Sequence, residues 1–182
     1  MLSMCELRRA FQILETSLHG SVLKRIVQAD ASSLTLSFTG PGKRKTGILL
    51  SCDSEYARLC AAGEPVAAVS SKASFYEYIR AHLTGAVLSG IDICRQDRQV
   101  RFQLDNGPDS WALHLSILGA RSNIYLVDAG GELVHSMRPL EETRRDLRIG
   151  EPWTDPKGSV PSEGEDRWSE IQDQDYLDAV QR

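Results

Sequence analysis

About five strand-like segments follow one another between residues 86 and 137, and no helical segment separates them. Apolar and polar residues alternate along 98–104 and 110–118, which is the pattern of strands with one buried face. Parallel neighbours need a long crossover connection, usually a helix, whereas antiparallel neighbours need only a short turn. This stretch therefore predicts an antiparallel sheet.

The first half of the chain adds helices and further strands. Apolar residues at three- and four-residue steps predict a helix over 4–19, and Ser3 with Glu6 three residues later forms a capping box at its start. A second helix is expected over 72–84, ended by Gly85. Three strand-like segments lie between the helices: 22–28, 33–39 and 46–51. We expect an α+β domain, mainly an antiparallel two-sheet β-sandwich flanked by two helices.

The acidic charge of the chain is concentrated at its C-terminal end. Seven acidic and two basic residues lie within 162–182, whereas the preceding residues hold 18 acidic and 19 basic ones. The sequence therefore predicts a domain over 1–157 and an acidic tail, or the start of a linker or helix, over 158–182. We expect the tail to pack weakly through Trp168 and Tyr176, with its charges in water, and to repel RNA at low salt.

The motifs of common enzyme classes are missing from the sequence. It has no P-loop, no GxGxxG, no GxSxG and no HExxH, and its four cysteines form no CxxC pair. We therefore expect neither enzymatic activity nor a cofactor or metal. No apolar run approaches the ~20 residues that span a bilayer, and MLSMCELRRAF lacks the apolar core of a signal peptide. These features predict a cytoplasmic protein without a membrane partner.

An arginine-rich segment, RQDRQVR at 95–101, lies between two predicted strands. Arginines grip phosphates, and Asp97 can orient the Arg98 guanidinium or accept a hydrogen bond from a base amino group. The alternative interpretation is a solvated hairpin with an incidental ion pair.

A second polar segment, 118–123, also lies between apolar strands. Its polar side chains are those of Arg121, Ser122 and Asn123. It is either a polar turn with a capping asparagine or a loop that faces a ligand.

In their order along the chain, these segments resemble the N-terminal domain of NFACT proteins, also called fibronectin-binding protein A-like proteins or ribosome quality control factors. The resemblance runs from about Leu2 to Pro156. It rests on LSMCELRRAF, on SFYEYIRAHLTGAVLSGI before Asp97-Arg98 and VRFQL after it, on GARSNIYLVD, and on RIGEPWTDP. Three positions depart from the family pattern: Glu6 stands for Asp, Ala120 for Arg, and Lys157 for the second proline.

The resemblance implies an RNA-binding module that engages tRNA. Full-length members bind the large ribosomal subunit that carries an obstructed nascent chain, recruit tRNA and support untemplated C-terminal tailing, with alanine in bacteria. The implied tRNA-binding residues are Glu6, Asp97 and Arg98. Candidate supporting contacts are Arg95, Arg101, Arg121, Ser122, Asn123 and Arg148. The coiled coil and second globular domain of the family do not fit in 182 residues, so we expect a fragment or a reduced member.

Two alternatives stay open. The family fold is also similar to the N-terminal domain of formamidopyrimidine-DNA glycosylases, which suggests a glycosylase-like nucleic-acid-processing enzyme. Those enzymes use an N-terminal proline amine as nucleophile, whereas this chain begins Met1-Leu2-Ser3. The other alternative is a fibronectin-binding adhesin, against which the missing signal peptide argues.

The tRNA hypothesis makes two geometric predictions. Asp97 and Arg98 should lie at a turn between antiparallel strands, with side chains at least partly exposed. Glu6 should lie near that turn, because its side chain is at the edge of the apolar stripe of the first helix.

Overall fold

The computed structural model of the chain describes residues 3–62, 74–94, 97–156 and 164–179. Its α-helices are α1 (Met4–Leu18), α2 (Ser74–Leu83), α3 (Leu140–Thr143) and α4 (Asp173–Ala179). Its strands are β1 (Val22–Asp30), β2 (Ser33–Thr39), β3 (Lys45–Ser51), β4 (Arg58–Ala61), β5 (Val87–Ile93), β6 (Gln99–Asn106), β7 (Asp109–Ser116), β8 (Asn123–Val127) and β9 (Leu133–Ser136).

The start of α1 has the predicted capping box. The Ser3 hydroxyl accepts from the Glu6 N–H at 3.1 Å, and a Glu6 carboxylate oxygen accepts from the Ser3 N–H at 2.7 Å. These contacts satisfy two backbone donors that the first turn of a helix leaves free. One oxygen of the Glu6 carboxylate is therefore already engaged in the N-terminal cap of α1.

The described strands form one nine-stranded antiparallel sheet in the order β4-β3-β2-β1-β5-β6-β7-β8-β9. The α+β class and the antiparallel pairing are therefore confirmed, but the prediction of two separate sheets is wrong. Strands β1 and β5 join the halves through one register pair, Val22 with Val87. Backbone bonds from Leu23 N–H to Ala86 O and from Leu88 N–H to Ser21 O extend the junction.

The main hydrophobic core draws on both halves of this sheet. It contains Leu34 and Ile48 from the first half and Phe102 and Leu115 from the second, all at most 1% exposed. Helix α1 packs on this core, where Leu14 is fully buried. The alternation along β6 is confirmed, because its apolar side chains enter this core and its polar ones point to the opposite face.

That opposite face of β6, β7 and β8 is polar at its centre and is covered by the segment 139–156. The register aligns Gln99 with Ser116 and Asn123, and Arg101 with His114 and Tyr125. Side chains of the covering segment join a second apolar cluster on this face, formed by Ala112, Tyr125, Val127, Leu133, Leu140 and Leu147, with Trp153 packed against it. Sequence patterning treats this segment as irregular, because its few apolar residues follow no period.

Residues 164–179 pack more tightly than the predicted weakly attached tail. Tyr176 is fully buried and belongs to the main core, and its hydroxyl donates to the Glu6 carbonyl oxygen at 2.9 Å. Arg9 on α1 donates to carboxylate oxygens of Asp166 and Asp173 at 2.9 and 2.8 Å. The acidic residues therefore partly serve to fasten this segment to α1.

Candidate nucleic-acid interface

The antiparallel order brings several chain segments to one end of the sheet. At this end β5 and β7 finish, β6 and β8 begin, and β9 leads into α3. The Ile117 N–H donates to Arg98 O at 2.7 Å, and the Met137 N–H donates to Ile124 O at 2.8 Å. The two polar turns recognised in the sequence, one at Asp97 and one at 118–123, are therefore neighbours in space.

Asp97 and Arg98 lie at the turn between β5 and β6, as predicted. The Gln99 N–H donates to Asp97 O at 2.9 Å, and the Arg98 N–H donates to the Asp97 carboxylate at 2.7 Å. Arg98 is partly exposed, but Asp97 is only 6% exposed. The expected exposure is thus correct for Arg98 and wrong for Asp97, whose carboxylate turns back onto the backbone. Arg95 falls outside the described residues.

The Asp97 carboxylate sits in a position that is unfavourable for an isolated charge. Burial raises the pKa of the carboxyl above its ordinary value, while the Arg98 N–H and the guanidinium groups of Arg98, Arg121 and Arg144 act in the opposite direction. A carboxylate held among arginines at reduced hydration is typical of a binding site. Arg121 is exposed at the end of the short 3₁₀ turn Gly119–Arg121.

Arg144 is a buried residue beside the turn that the sequence analysis does not identify as a candidate. It is 5% exposed and donates to both carboxylate oxygens of Asp146, at 2.8 and 2.9 Å, and to Thr154 O at 2.9 Å. Its guanidinium carbon lies 5.3 Å from the centre of the Trp153 ring. Arg144 therefore holds the covering segment together internally, and its charge also acts on the Asp97 carboxylate.

Ser122 and Asn123 serve the fold. The Ser122 hydroxyl accepts from the Leu118 N–H at 2.8 Å. The Asn123 carbonyl oxygen accepts from the Arg138 N–H at 2.8 Å, while its amide donates to Arg138 O and to the Thr143 hydroxyl, both at 3.0 Å. Both side chains are fully buried, so the interpretation as a structural polar turn fits them better than a ligand contact.

The other candidate arginines, Arg101 and Arg148, make their contacts away from the turn. Arg101, midway along β6, pairs with Asp92 at 2.6 Å. Arg148 is exposed in the loop after α3, where its guanidinium donates to the carbonyl oxygens of Arg145 and Leu147 at 2.9 Å.

Glu6 is fully buried beneath the C-terminal segment. Its carboxylate oxygens accept from the Arg167 guanidinium at 2.8 and 3.1 Å and from the Arg167 N–H at 3.2 Å. Burial alone would raise the pKa of Glu6, but the hydrogen bonds from Arg167 and Ser3 lower it overall. The hydrogen bonds of the Glu6 carboxylate go to Ser3 and Arg167, and those of the Asp97 carboxylate stay within its turn. A shared site of Glu6 with Asp97 and Arg98 stays a prediction.

The described part of the chain has neither a metal-binding cluster nor a helix suited to a membrane. Across residues 3–62, 74–94, 97–156 and 164–179, no group of three or more His, Cys, Asp or Glu side chains could hold a metal ion. Among the helices described, none combines the length and the apolar character needed to cross a bilayer.

Comparison with known proteins gives a family match and three similar folds. The family described as "NFACT N-terminal and middle domains" matches residues 4–180. The N-terminal region of the fibronectin/fibrinogen-binding protein from Streptococcus suis superposes with a TM-score of 0.78 at 20% identity, covering 87% of this chain and 62% of that one. The N-terminal domain of fibronectin-binding protein PavA from Streptococcus pneumoniae gives 0.78 at 20% identity, covering 99% and 69%.

The fibrinogen-binding protein from Staphylococcus aureus gives a TM-score of 0.72 at 20% identity, covering 86% of this chain and 56% of that one. The chain therefore spans about three fifths of the length of these structures. No curated protein sequence matches the chain.

Proposed function

This chain belongs to the family of NFACT N-terminal and middle domains, and from that premise we propose that it is an RNA-binding module that engages tRNA on a stalled large ribosomal subunit. The observation that carries the proposal is the meeting of Asp97, Arg98 and Arg121 at one end of the sheet. The activity of whole family members, including C-terminal tailing, is part of the proposal only for a longer chain.

The chemistry of this end of the sheet suits unpaired RNA. The partly exposed Arg98 and the exposed Arg121 offer guanidinium groups that bind phosphates or base edges. The Asp97 carboxylate would orient these arginines and accept from a base amino group once RNA displaces the surrounding water. The binding site is therefore proposed at the turn and at Arg121.

Glu6 is proposed to act differently from Asp97. Its carboxylate is fully buried and hydrogen-bonded to Arg167. Glu6 can contact RNA only if the Arg167 guanidinium moves away, and a lone buried charge would then need the RNA as its new partner. We therefore place Glu6 at the site only in a state in which the C-terminal segment has shifted.

The test is binding of labelled tRNA to Arg98→Ala, with Arg44→Ala as the matched control. Arg44 is an exposed arginine in the β2–β3 loop, so the two variants lose the same charge. Loss of one charge-assisted hydrogen bond corresponds to about a tenfold or larger rise in Kd for Arg98→Ala, and Arg44→Ala should change Kd less than about twofold. Circular dichroism melts check that both variants fold.

Equal tRNA affinity of the two variants would remove the turn from the binding site. Fibronectin is the second ligand in the assay, because the Streptococcus structures carry that ligand in their names. Saturable fibronectin binding without tRNA binding would favour the adhesin alternative.

A further inference from the structure

A groove of about 350 Å³ lies on the polar face of β6 and β7, beside the covering segment. This volume is at the lower end of the range of small-ligand sites. Its polar lining comes from Arg101, Gln103, Ser110, His114, Asp128, Trp153 and Asp155. The tRNA proposal leaves this groove without a role.

His114 is the buried polar residue of this groove, at 3% exposure. The Ser116 hydroxyl donates to the Gln99 carbonyl oxygen at 3.1 Å, which turns the Gln99 amide nitrogen toward His114 Nδ1, 2.8 Å away. The amide donates, so Nδ1 is the acceptor and the ring proton is on Nε2. Burial lowers the pKa of His114 to about 3, so the ring is neutral near pH 7 and offers one fixed donor.

The wall of the groove is an aromatic side chain held in place on several sides. The Trp153 ring lies 4.5 Å from the His114 ring and 5.1 Å from the Tyr125 ring, between ring centres. Its backbone N–H donates to Gly131 O at 2.7 Å, and its indole N–H donates to the exposed Asp155 carboxylate at 3.2 Å. Such a fixed planar wall with polar groups at its edge suits a flat ligand.

The charges of the groove disfavour a phosphate. Arg101 is already paired with Asp92, and the carboxylates of Asp128 and Asp155 also line the groove. Carboxylate acceptors beside a neutral N–H donor match an uncharged edge that has both donors and acceptors. Guanine has this pattern, with two N–H donors next to its carbonyl oxygen.

We propose that this groove binds one unpaired guanine base, with His114 donating to the base carbonyl and Asp155 accepting from the base N–H groups. The inference rests on the proposed RNA-binding function, since it adds a base pocket to a phosphate-binding edge. Arg144 connects the two, because its charge acts on Asp97 and its guanidinium lies over Trp153. Gln99, the residue after Arg98, also contacts His114 of the groove, so an RNA strand held at the turn would lie beside the groove.

The test is titration of the full chain with GMP, CMP and ribose 5-phosphate. Binding is monitored through the indole and His114 ring signals in NMR spectra. GMP should bind at least about tenfold more tightly than ribose 5-phosphate and than CMP. Asp155→Asn should weaken GMP about tenfold, while Asp109→Asn, which removes an exposed carboxylate at the start of β7, should leave GMP binding unchanged. Both are exposed positions, so the fold should persist.

The outcome separates this inference from the tRNA proposal. The guanine site is judged by Asp155→Asn in the GMP titration, since Asp155 lines the groove, whereas the tRNA proposal is judged by Arg98→Ala in the tRNA titration. Equal binding of GMP and ribose 5-phosphate, or an Asp155→Asn variant with unchanged GMP affinity, would overturn the guanine site. The tRNA proposal would still stand in that case if Arg98→Ala weakens tRNA binding.

Discussion

At the scale of single residues, the Asp97 carboxyl combines 6% exposure with a raised pKa and a cluster of arginines. A carboxyl whose pKa is higher in the folded than in the unfolded chain stabilises the fold below the unfolded pKa, and this stability is lost as the pH rises through the folded pKa. At neutral pH the ionised Asp97 therefore costs folding free energy. Residues that cost stability in this way are often kept for binding.

We therefore expect Asp97→Asn to melt at the same or a higher temperature than the parent chain at pH 7, while its tRNA affinity falls. The asparagine oxygen can still accept from the Arg98 N–H, so the turn is retained. The stability advantage should shrink toward acidic pH, where the aspartate itself becomes protonated. Melts at several pH values and tRNA titrations measure both effects. A variant that is less stable and binds equally well would assign Asp97 to the fold alone.

At the scale of elements, α1 and the C-terminal segment form one packed unit. Tyr176 is fully buried, and the Arg9 guanidinium lies 4.3 Å from the centre of its ring. Arg167 pairs with the buried Glu6 on the other side of the contact. Removal of residues 162–182 would therefore change stability as well as charge, so the expected repulsion of RNA by this segment is better tested with point substitutions of its exposed acids.

Tyr176→Ala should lower the free energy of unfolding by about 3–5 kcal/mol, because it empties a fully buried aromatic site. Tyr176→Phe keeps the ring and loses the hydrogen bond to Glu6 O, and should cost only about 1 kcal/mol. Urea unfolding followed by circular dichroism gives both values. If Tyr176→Ala is as stable as the parent chain, the segment does not contribute to the core in solution.

At the scale of the whole molecule, two runs of antiparallel strands are joined by the short β1–β5 junction. Gly85, just after α2, has φ +94°, and its N–H donates to Leu23 O at 2.7 Å across this junction. Nothing lies within 4 Å of a Cβ built on Gly85. A side chain there would meet no clash, so its cost is that of a left-handed backbone alone.

Gly85→Ala should therefore lower the free energy of unfolding by about 1–2 kcal/mol. Gly90→Ala is the control within β5: Gly90 has no positive φ, and a Cβ there would meet Gln103 Cβ at an ordinary 3.9 Å. The control should be neutral or slightly stabilising. Urea titrations give the free energy of unfolding of both variants. Equal values would mean that a left-handed alanine at Gly85 does not destabilise the junction.

The sequence by itself determined the elements that depend on local chemistry. The capping box of Ser3 and Glu6 specifies the start of α1, the alternation along 98–104 specifies β6, and the missing crossovers require antiparallel pairing. The position of Asp97 and Arg98 at a turn follows from the same pattern, because a period of two must break where the chain reverses.

Only the tertiary structure decided how these elements use their polar groups. The register pair of Val22 with Val87 joins the two runs of strands into one sheet. No local sequence pattern encodes a contact between residues so far apart in the chain. The burial of Asp97 and the pairing of Glu6 with Arg167 likewise depend on segments that lie far away in sequence. Residue types and their periodicity predict the secondary structure and the buried face of each element. The partner of each polar side chain depends instead on which distant segments the packed core brings together.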